Sequence, residues 1–124
     1  MHLRILDGEF SVCKIHSIDG IDFNDEFVFA AKTDEELSLV CQSDKAPNDC
    51  IACEADWKAL RIEGVLDFSL TGIISTISSA LAAEKIAVFV VSTFNTDYIL
   101  VKEVSLNTAI VALKAIHCEF SENV

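Results

Sequence analysis

Three groups of residues have types and spacings that chemistry uses. The first is CIAC (50–53), the one C-x-x-C in the chain. That spacing serves redox dithiols and half of a zinc site, but zinc needs two further ligands, and neither a second C-x-x-C nor an H-x-x-x-H is present. Five cysteines, Cys13, Cys41, Cys50, Cys53 and Cys118, are an odd number for a disulfide framework. Reduced, mostly buried thiols are the expectation, with CIAC in a short strand. The acids Asp19, Asp22, Asp25 and Glu26 form the second group, but a calcium loop would need glycine where Phe27 stands, so a solvated acidic loop is expected. The three histidines, His2, His16 and His117, sit in no triad pattern with a serine or cysteine. No catalytic residue, metal or cofactor is therefore expected, and the chain does not read as an enzyme.

The third group is GVLDFSLTGIIS (64–75), which runs from the end of a strand into the start of a helix with glycines at 64 and 72. Free backbone N–H groups and the helix dipole suit an anion there. No lysine follows Gly72 as a phosphate loop requires, so a small carboxylate is a better match than a nucleotide, and Asp67 is placed to accept an α-ammonium. The alternative is structural: Asp67, Ser69 or Thr71 caps the helix and Gly72 lets it pack closely. A second polar knot, Ser92, Thr93, Asn95, Thr96 and Asp97, stands between two strongly apolar runs and is either a turn or one wall of the same site.

The elements that position these groups follow from periodicity. WKALRIE (57–63) alternates as a strand, with Trp57, Ala59, Leu60 and Ile62 as its apolar members, and stops at Gly64. Ile73, Ile74, Ile77, Ala80 and Leu81 make one stripe of an amphipathic helix. IAVFVVS (86–92) and YILV (98–101) pair as a hairpin across the knot, because the link is too short for a crossover. Ser105 stands as an N-cap ahead of Leu106, Ile110 and Leu113 at helical spacing, and a short CEF strand closes the series. The order is βαββαβ, the ferredoxin-like split unit with a four-stranded sheet.

The N-terminal half echoes this. FVFAAKTDEELSLVC (27–41) lies over VFVVSTFNTDYILVK (88–102) without a gap at an offset of 61, with an acidic or polar turn at the centre of each. FSVCKI (10–15) supplies a first strand, but HSIDGIDFNDE lacks the pattern of a helix. The expected organisation is α/β (α+β): two tandem ferredoxin-like units, a reduced or irregular one over residues 1–54 and a regular one over 55–124, with DKAPND (44–49) at the seam.

Composition excludes several function classes. A net charge of −11 with no Lys/Arg cluster argues against nucleic acid. The apolar stretch 70–91 is broken by Thr71, the serine and threonine positions of 75–79 and Glu84-Lys85, so it does not read as a membrane span. The N-terminal MHLRILDGEF has no apolar core of signal-peptide length, so the reading is cytoplasmic. An apolar fraction of 52% suffices for a buried core.

WKALRIEGVLDFSLTGIISTISSALAAEKIAVFVVSTFNTDYILVKE, with the earlier KTDEELSLVC, resembles the ACT-domain family. It is most similar there to small stand-alone proteins of two tandem ACT units, like the regulatory region of aspartate kinases and the ACT repeats of cytosolic arginine sensors. The resemblance implies a small amino acid or related metabolite, bound where ACT units pair. It places the ligand by position on Val65, Leu66, Asp67, Phe68, Ser69, Leu70, Thr71 and Gly72, with Ser92 and Thr93 close by. It implies action on a separate regulated protein, since no kinase domain accompanies the repeats. The open edges of a ferredoxin-like sheet and the apolar hairpin 86–101 add the expectation of a homodimer, through sheet edges or helices. A structural interaction module that binds no ligand is the first alternative, and an enzyme the second.

Overall fold

The computed structural model describes residues 1–63 and 72–122. The chain divides into two compact units, one of Met1–Asp7 with Lys58–Val124 and one of Gly8–Trp57 inserted within it. The unit boundary expected after residue 54 falls inside a single long strand, Ala52–Ile62, and DKAPND (44–49) lies within the Gly8–Trp57 unit. We call the two the host unit and the inserted unit.

The host unit contains β1 (His2–Ile5), the C-terminal half of β5 (Ala52–Ile62), α1 (Ile73–Ala83), β6 (Val88–Ser92), β7 (Asp97–Lys102), α2 (Leu106–Ala115) and β8 (Glu119–Glu122). Its strands lie in the order β6-β7-β5-β1-β8. This differs from the four-stranded expectation, because β1 pairs antiparallel with β5 and parallel with β8 and so stands between the first and last strands of the βαββαβ series. β1 is short and flanked by charge, but Leu3 in it is wholly buried and joins Leu60 and Ile62 of β5 in the core.

The helices supply the other wall of that core: Ile77 and Leu81 from α1, and Ala109 and Leu113 from α2, pack with Ile99 and Val101 of β7. Burying side chains of this size is worth about 1.5–3 kcal/mol each. Both helices stop in the same way. Lys85 and His117 take left-handed conformations, φ 59° and 73°, and the next amide bonds back to the last turn, Ile86 N to Leu81 O and Cys118 N to Leu113 O, both at 3.0 Å. These are Schellman closures, and each brings an apolar residue back over the helix end. The expected Ser105 cap is not made. Ser105 is helical, φ −98°, ψ −2°, because a 3-10 turn, Glu103–Ser105, runs straight into α2.

The inserted unit holds β2 (Phe10–Lys14), β3 (Val28–Lys32), β4 (Leu37–Gln42) and the N-terminal half of β5, in the order β3-β4-β2-β5 with every pair antiparallel. That is the strand order of the split unit with its helices reduced to 3-10 turns, Ile18–Gly20 and Ser43–Lys45. Its core is correspondingly small: Cys13, Ile15, Leu39 and Cys41, covered by Ile21, Ala46 and Cys50 from the connections. Between the pairs Phe10–Trp57 and Val12–Glu54 the register shifts, and Asp56 there has φ 67°. A bulge of this kind takes an aspartate well, and it explains why alternation in the sequence begins only at Trp57.

The two hairpins do repeat, but not at the expected offset. Val28 pairs with Cys41 and Lys32 with Leu37; Val88 pairs with Val101 and Ser92 with Asp97. The corresponding positions are 60 apart, not 61. At 60, Val28 and Phe29 meet Val88 and Phe89, Thr33 meets Thr93, and β4 and β7 show one burial order along their six residues. A slip of one residue would have put every side chain on the opposite face.

Candidate functional site

The strand-to-helix connection of the host unit is the site favoured by sequence. Val65, Leu66, Asp67, Phe68, Ser69, Leu70 and Thr71 lie outside the described residues. Both of its borders are described. On the strand side, Thr96 donates its hydroxyl to the carbonyl of Ile62 at 2.6 Å, and Thr96 is buried. Next to it, the Glu63 carboxylate receives Arg61 Nε at 3.1 Å and lies 3.8 Å from Arg4 Nη1. The hairpin turn is thereby tied to the end of β5, immediately before residue 64.

On the helix side, Gly72 occupies the N-cap position of α1 with φ 80°, ψ −3°. Among the described residues, a Cβ added there would meet nothing within 4 Å. The left-handed backbone alone favours glycine at this position. Gly72 has no side-chain oxygen to bond the first-turn amides, and the first turn of α1 carries no acid. Such an end suits a carboxylate on dipole and hydrogen-bonding grounds.

The knot is mostly a turn that satisfies itself. Thr93 N donates to Thr96 O at 2.9 Å, Thr93 Oγ1 donates to the same carbonyl at 3.1 Å, and the Ser92 hydroxyl donates to the Asp97 carboxylate. The turn at Thr33 and Glu36 repeats the pattern, with Thr33 N to Glu36 O at 2.9 Å. The signal that sequence reading missed is Thr96: in the inserted unit its counterpart is Glu36, an exposed acid. A threonine in place of that acid is what lets the turn bond to Ile62.

Other polar groups find structural roles. Asp22 and Asp25 accept the backbone N–H of Asn24 and Glu26 at 3.0 and 2.9 Å, as turn-forming acids do. His2 Nε2 lies 3.0 Å from Ser121 Oγ, and His117 closes α2. Ile15, His16, Ser17, Asp19 and Gly20, in the strand-to-turn connection of the inserted unit, line an open depression of about 230 Å³ with Pro47 and Asp49.

The thiols are mostly buried, as expected: Cys13, Cys41 and Cys118 are buried, Cys50 is half-buried and Cys53 is exposed. Cys53 lies in β5 and Cys50 precedes it, so CIAC does not sit whole in a strand. Burial pushes the Cys41 thiol up to about 11, with Cys50 and Cys53 adding to the effect, and burial raises Cys118 as well. No described helix is long and apolar enough to cross a membrane.

The pattern of the ACT domain matches residues 52–115, more than half of the chain, from the start of β5 to the end of α2. The chain belongs to the ACT-domain family. Among solved structures, one from Agobacterium tumefaciens superposes with a TM-score of 0.87 at 29% identity, covering 99% of this chain and 93% of that one. A protein of unknown function from Vibrio cholerae, described as a possible transport protein, gives 0.70 at 18% identity, with 92% and 88% covered. A putative C-terminal regulatory domain of aspartate kinase from Porphyromonas gingivalis gives 0.59 at 18% identity, with 91% and 94% covered. The last two likenesses are of fold. The ACT match takes in both borders of the 64–72 connection and the Ser92-Thr93 turn, and membership brings a regulatory, ligand-binding role in general terms.

Proposed function

We propose that this ACT-domain protein is a non-catalytic sensor of a small amino acid. The ligand's carboxylate meets the backbone amides at the start of α1, and Asp67 takes its ammonium group. Val65 to Gly72 provide the contact surface, with Ser92 and Thr93 beside it. The inserted unit is a reduced ACT-like repeat, the protein acts as a homodimer, and ligand occupancy is passed to a separate regulated protein. Among the described residues, β3 and β6 each pair with a single strand, and strands in that position suit assembly of that kind.

One observation carries the reading. Gly72 holds a left-handed conformation at the head of a helix whose first turn has no acid and whose N-cap makes no side-chain hydrogen bond, within the region matched by the family pattern. First-turn amides without a side-chain cap from Gly72 suit a ligand carboxylate. A thermal-shift screen of the common amino acids tests the reading. Ligand at 100 times its Kd raises stability by about 2.7 kcal/mol, which is a shift of several degrees for a chain of this size. Asp67→Asn is expected to abolish the shift for the amino acid found. A screen with no shift at millimolar concentrations favours the interaction-module alternative.

A further inference from the structure

Four of the five cysteines fall in the inserted unit, which makes its core partly of thiols where the host unit uses helices. Two of them face each other. Cys13 on β2 and Cys53 on β5 are direct partners in the antiparallel ladder, and their sulfurs are 3.6 Å apart. Directly opposed residues on paired strands share one face, with Cα atoms about 4.5–5.5 Å apart, inside the span of about 4.4–6.8 Å that a disulfide bridges. Cys50 is close too, but it lies outside the strand and donates its thiol to the carbonyl of Pro47 at 3.0 Å.

We propose that Cys13 and Cys53 form a reversible oxidation site, closed as a cross-strand disulfide by a low-molecular-mass disulfide, with Cys53 as the point of entry. The two thiols differ in the way such a site needs: Cys53 is exposed and reachable, whereas Cys13 is 2% exposed and shielded from bulky reagents. Cys53 thiolate attacks the reagent RSSR, forming a mixed disulfide and releasing one RS⁻, which takes up a proton. The sulfur of Cys13 then attacks Cys53 Sγ, gives up its proton and expels the second thiol. Two cysteine thiols and one RSSR become one protein disulfide and two RSH, and the pair has given two electrons to the reagent. Burial, followed by the neighbouring Cys53 and Cys50 thiols, holds the Cys13 thiol well above its ordinary range. The buried Cys13 is thus not the thiol that meets the reagent first; its attack depends on Cys53 Sγ being held 3.6 Å away. Closure ties β2 to β5 across 40 residues of chain and removes the most accessible cysteine.

The test is native incubation of the full chain with oxidised glutathione, acid quenching and tryptic mapping without reduction. Cys13 leaves on the peptide of residues 5–14, and Cys50 and Cys53 leave together on residues 46–58. The expected product is these two peptides joined, two hydrogens lighter than their sum, with titratable thiols in denaturant falling from five to three. The link is expected to persist in Cys50→Ser and to be lost in Cys53→Ser, and dithiothreitol restores all five thiols. A link lost in Cys50→Ser but kept in Cys53→Ser overturns the assignment. So does a loop within residues 46–58, glutathione retained on Cys53 beside a free Cys13, or a link between chains.

Discussion

Hairpin β3–β4 and hairpin β6–β7 share a register, a threonine-anchored turn and a second strand buried in the same order, and each runs into a 3-10 turn. Immediately after that turn they diverge. Leu106 is helical, φ −59°, ψ −47°, and α2 follows; its counterpart Ala46 is extended, φ −67°, ψ 137°, and no helix follows it. Pro47 accounts for the extended Ala46, since a residue before proline is forced out of the helical region by the ring, and the start of β5 at Ala52 leaves too little chain for a helix. The other connection differs in room. Residues 15–27 carry Gly20 and four acids, whereas residues 63–87 accommodate the eleven residues of α1. A hairpin is thus specified by its own strands and turn, but a helix on the sheet needs chain length and an apolar stripe. The inserted unit lacks both and fills its core with Cys13, Cys41 and loop residues.

If helices carry the host core, the largest single loss comes from truncating one. Leu81→Ala, at a fully buried position on α1, is expected to cost about 2–5 kcal/mol in urea unfolding. Cys41→Ala in the smaller core is expected to cost about 1 kcal/mol. Equal losses would erase the distinction between the cores.

The hairpins can be separated at their turns. Thr96→Val leaves the carbonyl of Ile62 without its partner and is expected to cost about 1–3 kcal/mol. Glu36→Val, at the matching exposed position, is expected to change stability by no more than about 0.5 kcal/mol. A silent Thr96→Val would mean that the turn is not tied to β5.

Smaller effects test the backbone. Gly72→Ala is expected to cost about 1–2 kcal/mol, the strain of a Cβ at φ 80° with no clash added, and Gly72→Asn less. Pro47→Ala is expected to cost about 0.4–1 kcal/mol through the unfolded chain, with no gain of helical circular dichroism, because β5 begins at Ala52. A gain of a full helical turn would show that the proline alone withholds the helix.

Much of this was legible from local pattern. WKALRI, the α1 stripe, both hairpins and the missing helices of the inserted unit follow from apolar spacing, glycine and proline. The Ser105 cap failed locally, to the 3-10 turn that runs into α2, but the larger failures come from contacts distant in sequence. β1 is four residues that become a strand only between β5 and β8, and the Cys13–Cys53 pair exists only through the β2–β5 register. The repeat offset slipped by one because apolar runs slide over one another, and only paired registers fix which face each side chain takes. In the candidate site, the glycine and the polar turn were visible as types. Which of the turn's hydroxyls reaches β5 was not, since Thr93 and Thr96 are both threonines and differ only in what lies across from them.

Amide hydrogen exchange of the full chain, with and without the amino acid that gives the largest melting shift, tests most directly whether ligand is held by the helix-bearing unit at the start of α1. The result expected is protection concentrated in residues 64–75, with residues 15–20 of the inserted unit unchanged. Protection at 15–20 with none at 64–75 would contradict it.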